Sequence, residues 1–138
     1  MSHHAIFTEN APRPLGAYAQ AVRWERLIFT TGQVARDPLH QGELAAGSAG
    51  SEEVHGDVRE QTRQALLNIR AILQAAGADL DLVLKTTCFL TNMDHFAAFN
   101  DVYREFFPVD PPARSTIGVG LVPPCLVMIE AVAVTPDA

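Results

Sequence analysis

Arg114 is the side chain whose type and position most clearly suggest chemistry. It lies in the segment PPARST at 111–116, ahead of the apolar run LVMIEAVAV at 126–134. A guanidinium is always charged and offers its donors in a rigid fork, which suits the two oxygens of a carboxylate. Held where a proline-rich turn meets a strand, Arg114 has the geometry to clamp a carboxylate. An edge arginine paired to a nearby Asp or Glu is the alternative that spacing alone leaves open.

Other polar side chains are candidates, although each also has a structural interpretation. Tyr18 could offer its hydroxyl to a cleft or be a half-buried core tyrosine. Asn100 could be a solvated residue of a helix, and Thr116 an ordinary strand threonine. Glu130 is the only charge in its apolar strand, so if buried it must be paired or protonated, for a structural or a catalytic reason.

The histidines and cysteines do not suggest a metal site. The 5 histidines show no spacing with Cys or acidic residues that suits metal ligands. The chain has no glycine-rich phosphate loop and no nucleophile elbow. Cys88 and Cys125 lie in apolar strand-like runs, which indicates buried reduced thiols and a cytoplasmic protein.

Length and composition are those of one soluble globular domain. The chain has 138 residues, of which 48% are hydrophobic and 19% charged, so it can build a real core. The net charge of −6 and the lack of any run of Lys or Arg argue against a nucleic-acid surface. No apolar run approaches the roughly 20 residues of a membrane-spanning helix, and the start lacks a signal-peptide pattern.

Periodicity predicts the elements that must position these side chains. Apolar residues at steps of three and four predict a helix over 54–76, closed by Gly77. An aromatic stripe that begins at Phe96 predicts a second helix and is typical of a core face. β-Branched and apolar runs predict strands at 17–24, 27–31, 82–91, 115–122 and 126–134. The order β-β-α-β-α-β-β predicts an α+β two-layer domain over 1–138.

The last predicted strand also bears on assembly. It is apolar at nearly every position, so both of its faces should be buried. Two helices can cover only one face of such a sheet. We therefore expect further copies of the chain to cover the other face.

The chain resembles the RidA family, also called YjgF, nearly end to end. The resemblance rests on short motifs that follow one another at family-like spacing. They are TENAP at 8–12, GAYAQA at 16–21, TTGQ at 30–33, KTT at 85–87, FAAFNDVY at 96–103, PARS at 112–115 and IEAVA at 129–133.

The resemblance implies a chorismate-mutase-like fold and a homotrimer. In that family the sheets pack into a central barrel, and ligand clefts lie between subunits. Family enzymes hydrolyse reactive enamines and imines to keto acids and ammonia, without metal or cofactor. By motif position, Arg114 would clamp the substrate carboxylate. The other residues that the resemblance places at the cleft are Tyr18, Thr31, Gly32, Asn100 and Thr116, the last where many members have cysteine.

One position departs from the pattern of the characterised deaminases, which carry Ile-Glu-Ile-Glu-Ala near their end. The first Glu of that pattern is linked to the hydrolytic water, whereas the aligned residues here read VMIEA and place Met128 there. A thioether cannot carry a proton. Glu130 follows two residues later on the same strand face and could substitute in part.

This departure motivates two alternatives to a deaminase. One is a carboxylate-binding trimer that serves as a sensor or interaction partner without catalysis. The other is a pathway-specific enzyme that acts on another imine intermediate.

Two further departures concern loops. The arginine that many members carry before the Leu-Pro turn is replaced by Leu121 or Gly120. Residues 41–53, QGELAAGSAGSEE, predict a flexible surface loop that is longer than in compact members. In this respect the chain resembles the 2-aminomuconate deaminase branch, which acts on larger enamine acids.

Overall fold

The computed structural model describes residues 2–40 and 50–136, which form a six-stranded β-sheet and two α-helices. The strands are β1 (His4–Ile6), β2 (Ala21–Trp24), β3 (Leu27–Thr30), β4 (Val83–Leu90), β5 (Ala113–Gly118) and β6 (Val127–Val134). The helices are α1 (Val58–Ala75) and α2 (Phe96–Phe106). The predicted α+β class is confirmed.

The strands lie in the order β1-β2-β3-β6-β4-β5. All neighbouring strands are antiparallel except β4 and β5, which are parallel. Parallel neighbours need a crossover, and α2 is the element that links these two strands. Because β5 is the last strand of the sheet, side chains on its helix-facing side lie beside α2 at an open edge.

Three strand predictions need correction. The predicted order lacks β1, whose three residues carry no alternating pattern. β2 begins at Ala21 rather than at residue 17, because the chain before it turns and buries the Gln20 side chain against the N-terminal segment. β5 covers Ala113–Gly118 rather than 115–122, since its pairing ends opposite Leu90, where β4 itself ends.

α1 begins at Val58 rather than at the predicted residue 54, because Val54 is extended and the helix is capped at Asp57. Asp57 accepts the Glu60 backbone N–H at 2.9 Å, and the Glu60 carboxylate accepts the Asp57 N–H in return, which forms a capping box. At the other end Gly77 adopts φ 85°, which glycine tolerates without strain. The N–H of Ala78 then bonds the Leu73 carbonyl at 2.9 Å, which closes the helix as predicted.

The two faces of β6 have different environments. Val127 and every second residue after it, through Ala133, are buried against the helical layer. The alternate residues, from Met128 to Val134, are only half-buried on the opposite face. One sheet face is therefore open in the single chain, as two helices on one side of the sheet predict, and its burial by further copies stays a prediction.

Other predictions can be compared with the structure directly. Cys88 and Cys125 are both free and buried, as predicted. No helix in the described ranges is long and apolar enough to cross a membrane. Of the predicted loop at 41–53, residues 41–49 lie outside the described part of the chain, and Ser51–Glu53 form a 3-10 turn.

Candidate ligand-binding site

Arg114 points from the edge strand toward α2. It lies beside Thr86 across the parallel β4–β5 pair, on the sheet face that α2 covers. Its Nη1 donates a 2.8 Å hydrogen bond to Oδ1 of Asn100. The guanidinium carbon lies 4.7 Å from the ring centroid of Tyr103 and within 5.6 Å of the rings of Phe96 and Phe99. An amide and three aromatic faces therefore hold the cation in place.

No carboxylate in the described part of the chain lies within 4.0 Å of the Arg114 guanidinium. The alternative of an ordinary edge ion pair is therefore not what the structure shows. Arg59 and Arg63 illustrate the contrast, because they pair with acidic residues of α2 at 3.0 and 2.8 Å and are about half exposed. Arg114 is instead bound to neutral groups, which leaves its charge free to attract an anion.

Tyr103 is fixed by a hydrogen bond that sequence patterns did not suggest. Its hydroxyl shares a 2.7 Å hydrogen bond with the buried Thr86 hydroxyl. Burial raises the pKa of Tyr103 to about 12 and that of the neighbouring Cys88 thiol to about 11. Both groups therefore stay protonated near neutral pH, and neither supplies an anion to pair with Arg114.

Thr116 lies two residues beyond Arg114 on the same face of β5, opposite Cys88. Its Oγ1 is buried and has no hydrogen-bond partner among the described residues. Buried hydroxyls are nearly always satisfied, so this atom is a candidate contact for a bound group. Arg114, Asn100 and Thr116 form what we call the arginine cluster.

A second group of predicted residues lines a cavity of about 220 Å³. Tyr18, Gly32 and Met128 are among its walls, together with Pro12, Gln33, Val34, Arg36, Ser51, Leu121, Val122 and Cys125. We call it the Gly32 cavity. The Tyr18 hydroxyl accepts the Leu15 N–H at 3.2 Å, so its own proton remains available for donation.

Gln20 holds one wall of the Gly32 cavity. Its buried amide accepts the Thr8 N–H at 2.7 Å and donates to the Pro12 carbonyl at 2.9 Å. These bonds tie the N-terminal segment to the start of β2 and so position Pro12 at the cavity. Sequence reasoning missed this role, although a glutamine beside a strand start was the available signal.

An irregularity in the pairing of β3 with β6 brings Gly32 to the cavity. Phe29 pairs with Val132, whereas Gln33 pairs with Ile129, so the β3 side carries one extra residue between the two pairs. The Thr30 hydroxyl accepts the Ala131 N–H at 3.0 Å and satisfies the group that the bulge would leave unpaired. Thr31 lies within this bulge, next to Gly32.

Met128 packs directly on Gly32. A Cβ placed on Gly32 would lie 2.4 Å from the Met128 sulfur and 2.9 Å from its Cγ, which is closer than real contacts allow. The thioether thus occupies the space above the Gly32 backbone. A larger residue at position 32 would therefore have to displace the Met128 side chain, and no positive φ at Gly32 adds backbone strain.

The arginine cluster and the Gly32 cavity lie on opposite faces of the sheet. Arg114 faces α2, whereas Met128 lies on the open face of β6, opposite Phe89. Glu130 shares that open face, as predicted, but it lines a separate depression with Lys85 and is not among the walls of the Gly32 cavity. One chain therefore does not bring Arg114 to Gly32.

The described residues offer no obvious metal centre. Within 2–40 and 50–136, no three His, Cys, Asp or Glu side chains are grouped as metal ligands would be. The chemistry available at the arginine cluster is that of a guanidinium, an amide and a hydroxyl, and the Gly32 cavity adds a thiol, a thioether and backbone groups.

Comparison with known proteins gives consistent matches over nearly the whole chain. The family model described as Endoribonuclease L-PSP matches residues 8–135. A RutC family protein of Pyrococcus horikoshii is 45% identical over 129 residues, 93% of this chain and 94% of that protein. AldR of Lactococcus lactis, whose name proposes a regulator, is 41% identical over 93% of this chain and 94% of its own length. The 2-iminobutanoate/2-iminopropanoate deaminase of Capra hircus is 41% identical over 94% of this chain and 88% of its own length.

Solved structures show the same fold. The YjgF gene product of E. coli superposes with a TM-score of 0.81 at 38% identity, covering 96% of this chain and 98% of that one. E. coli TdcF, solved with bound serine, gives 0.82 at 34% identity, again with 96% and 98% coverage.

Replacing Gly32 by alanine tests the contact with Met128. Gly32→Ala should lower the free energy of unfolding by about 1–3 kcal/mol, because the added methyl group overpacks the thioether. Combining it with Met128→Ala should recover at least ~1 kcal/mol relative to the sum of the single changes. Urea unfolding measures each variant, with Gly120→Ala as the control because no atom lies within 4 Å of the added Cβ. Strict additivity would contradict the proposed contact.

Alkaline pH tests the burial of Cys88. Burial raises the pKa of its thiol from 9.0 to about 11, so the unfolded chain loses the thiol proton first. The contribution of the protonated thiol to the free energy of unfolding is fully present below pH 9 and is lost as pH rises through 11. This contribution is on the order of 2 kcal/mol. We expect Tm, followed by circular dichroism, to fall over this window, and less steeply in Cys88→Ser. Equal slopes for the two proteins would contradict this account.

Proposed function

The chain belongs to the RidA/YjgF family, whose model is described as Endoribonuclease L-PSP, and from this membership we propose that it hydrolyses reactive 2-enamino and 2-imino acids. The products would be a keto acid and ammonia. Relatives named 2-iminobutanoate/2-iminopropanoate deaminase, at 41% and 39% identity, support this reaction. Arg114 would clamp the substrate carboxylate.

The observation that carries the proposal is the environment of Arg114. Its guanidinium is oriented by Asn100 and by the ring of Tyr103, and no carboxylate neutralises it within the described residues. Such a cation is prepared for a bidentate carboxylate and would lose little conformational entropy on binding. The serine bound to TdcF, itself a small amino acid, is consistent with a carboxylate ligand in this fold.

The complete site would form between two copies of the chain. The arginine cluster and the Gly32 cavity lie on opposite faces of the sheet, so a substrate that contacts both needs one from each copy. The open sheet face, with exposed Phe29 and half-buried Val132, gives the copies an apolar surface to share. A homotrimer with clefts between subunits, as the family resemblance implies, satisfies both requirements.

The hydrolysis itself requires positioning more than strong chemical activation. Water adds across the C=N bond, its oxygen joining the carbon and a proton passing to nitrogen, and the tetrahedral intermediate then expels ammonia as the C=O bond forms. Arg114 fixes the substrate, while backbone groups at Thr31 and Gly32 and the Tyr18 hydroxyl can orient water and nitrogen. No metal or cofactor is needed for this sequence of steps.

Met128 and Glu130 limit how this chain can activate water. The position that carries the water-linked Glu in the characterised deaminases is a thioether packed on Gly32. Glu130 lies on the same open face but in the neighbouring depression beside Lys85 and Thr87. We therefore propose that catalysis is slower than in those enzymes, with substrate orientation supplying most of the rate enhancement.

A binding protein without catalysis is the second candidate. Met128 at the water-linked position favours it, and the name of AldR, at 41% identity, proposes a regulator within the same family. In that case Arg114 would bind a small carboxylate and the trimer would act as a sensor or interaction partner. Thermal stabilisation by small keto acids without turnover of any imine would support this candidate over the first.

The family description also raises cleavage of RNA. A net charge of −6 and the absence of a cationic run leave no broad electrostatic surface for a polyanion. Arg114 is a single enclosed cation, which suits one carboxylate better than a phosphate backbone. The charge distribution therefore favours imine hydrolysis and carboxylate binding over RNA cleavage.

Loss of Arg114 tests the carboxylate clamp. Arg114→Ala should reduce kcat/KM for 2-iminobutanoate at least about 100-fold, because two charge-assisted hydrogen bonds to the substrate are lost. Arg114→Lys should recover only part of this, since an ammonium keeps the charge without the fork. Arg70→Ala is the matched control, because Arg70 is half-exposed and pairs with Asp79. If the native protein hydrolyses no imine faster than buffer does, the deaminase proposal fails.

Restoring a carboxylate at position 128 tests the chemical step. Met128→Glu should raise kcat for 2-iminobutanoate at least about tenfold, because a positioned general base contributes roughly 100-fold or more when well placed. Leu67→Glu adds the same charge to the exposed side of α1 and serves as the control. Light scattering should verify that the oligomer is retained. An unchanged kcat in an intact oligomer would show that Met128 does not limit the reaction.

A further inference from the structure

The Gly32 cavity has an apolar patch among its lining residues. The apolar part of its lining comprises Met128, Leu121, Val122, Pro12 and the buried Cys125 thiol, whereas Tyr18, Gln33, Arg36 and Ser51 supply the polar part. Burial raises the pKa of Cys125, so its thiol stays uncharged near neutral pH. A polar or charged group of a ligand would lose its hydration against this apolar patch without gaining a partner there.

The one cation among the described cavity residues is already paired. Arg36 donates from Nε to the Glu53 carboxylate at 3.1 Å and from Nη1 to the Arg13 carbonyl at 2.9 Å. The side chains of Arg36 and Glu53 are only 6% and 8% exposed. A second carboxylate on a ligand would therefore have to displace a buried ion pair, which is costly.

The size of the cavity suits a bulky group. Its volume of about 220 Å³ exceeds the ~150 Å³ of an apolar protein cavity that stays dry and binds benzene. A branched aliphatic or phenyl group therefore fits, whereas a methyl group would leave most of the apolar patch uncovered.

We infer that the Gly32 cavity holds the side chain of the substrate and selects 2-imino acids with branched aliphatic or aromatic side chains over those with a methyl group or a second carboxylate. This inference rests on the proposed function, in which the carboxylate is bound by Arg114 of a neighbouring copy. Met128 acquires a positive role, because the thioether that cannot activate water extends the apolar patch. It is a specificity-determining residue as well as a departure from the family pattern.

Keto acids, the stable products, test the selection without relying on turnover. Isothermal titration calorimetry on the native oligomer should give Kd values at least about tenfold lower for 4-methyl-2-oxopentanoate and 2-oxo-3-phenylpropanoate than for pyruvate. 2-Oxoglutarate should bind no more tightly than pyruvate. Equal affinities, tighter binding of 2-oxoglutarate, or no binding of any keto acid would overturn the inference.

A charge at the cavity mouth tests the location. Val122 is 53% exposed, so Val122→Asp should fold, and it should reduce the preference for 4-methyl-2-oxopentanoate over pyruvate to less than about threefold. Val109→Asp adds the same charge at a 77% exposed valine outside the cavity and should keep the full preference. An unchanged preference in a folded Val122→Asp variant would place the selective pocket elsewhere.

Turnover separates failure of this inference from failure of the proposed function. Imines of alanine, leucine and phenylalanine can be generated in the assay by an amino-acid oxidase, and their hydrolysis compared with that in buffer. Selective binding of apolar keto acids without any imine hydrolysis would support the cavity assignment and refute the deaminase. Hydrolysis with no preference among the three imines would support the deaminase and refute the assignment of the cavity to the substrate side chain.

Discussion

The alternation of side chains across the sheet is the constraint on which the rest of the molecule depends. Along β6, Ile129 and its alternate neighbours must pack against the helices, so Met128 and Glu130 are forced to the other face. On β5 the same rule turns Arg114 toward α2. The core and the two halves of the candidate site therefore follow from one choice of strand register, and a shift by one residue would destroy all of them.

Two arginines show how environment decides the use of one residue type. Arg36 is buried with Glu53, and its guanidinium donates to that carboxylate and to the Arg13 carbonyl. These bonds stabilise the chain beside the cavity. Arg114 is held by Asn100 and by ring faces, which orient a guanidinium without neutralising it. A carboxylate built into the protein beside Arg114 would compete with a ligand. Because its surroundings are neutral, a ligand carboxylate can bind Arg114 without first displacing a carboxylate of the protein.

Much of this arrangement could be predicted from the sequence, because it depends on local patterns. The aromatic stripe of α2 and the shared face of Met128 and Glu130 follow from periodicity, and the end of α1 follows from Gly77. The start of α1 at Val58 rather than at residue 54 depends on the Asp57 cap, which periodicity does not show. β1 could not be predicted, since it is three residues long and is stabilised by pairing with β2. The role of Tyr103 was also hidden, because a tyrosine in an apolar stripe has the same pattern whether or not it supports a cation. Such long-range contacts have no signature in local spacing.

The contact between Met128 and Gly32 has a consequence for how this lineage can change. A side chain on residue 32 would have to displace the thioether of residue 128, so the energetic effects of substitutions at the two positions are coupled. Replacing the glycine while Met128 is present costs folding free energy that a smaller residue at 128 would remove, so the order of the two substitutions decides how much stability is lost on the way.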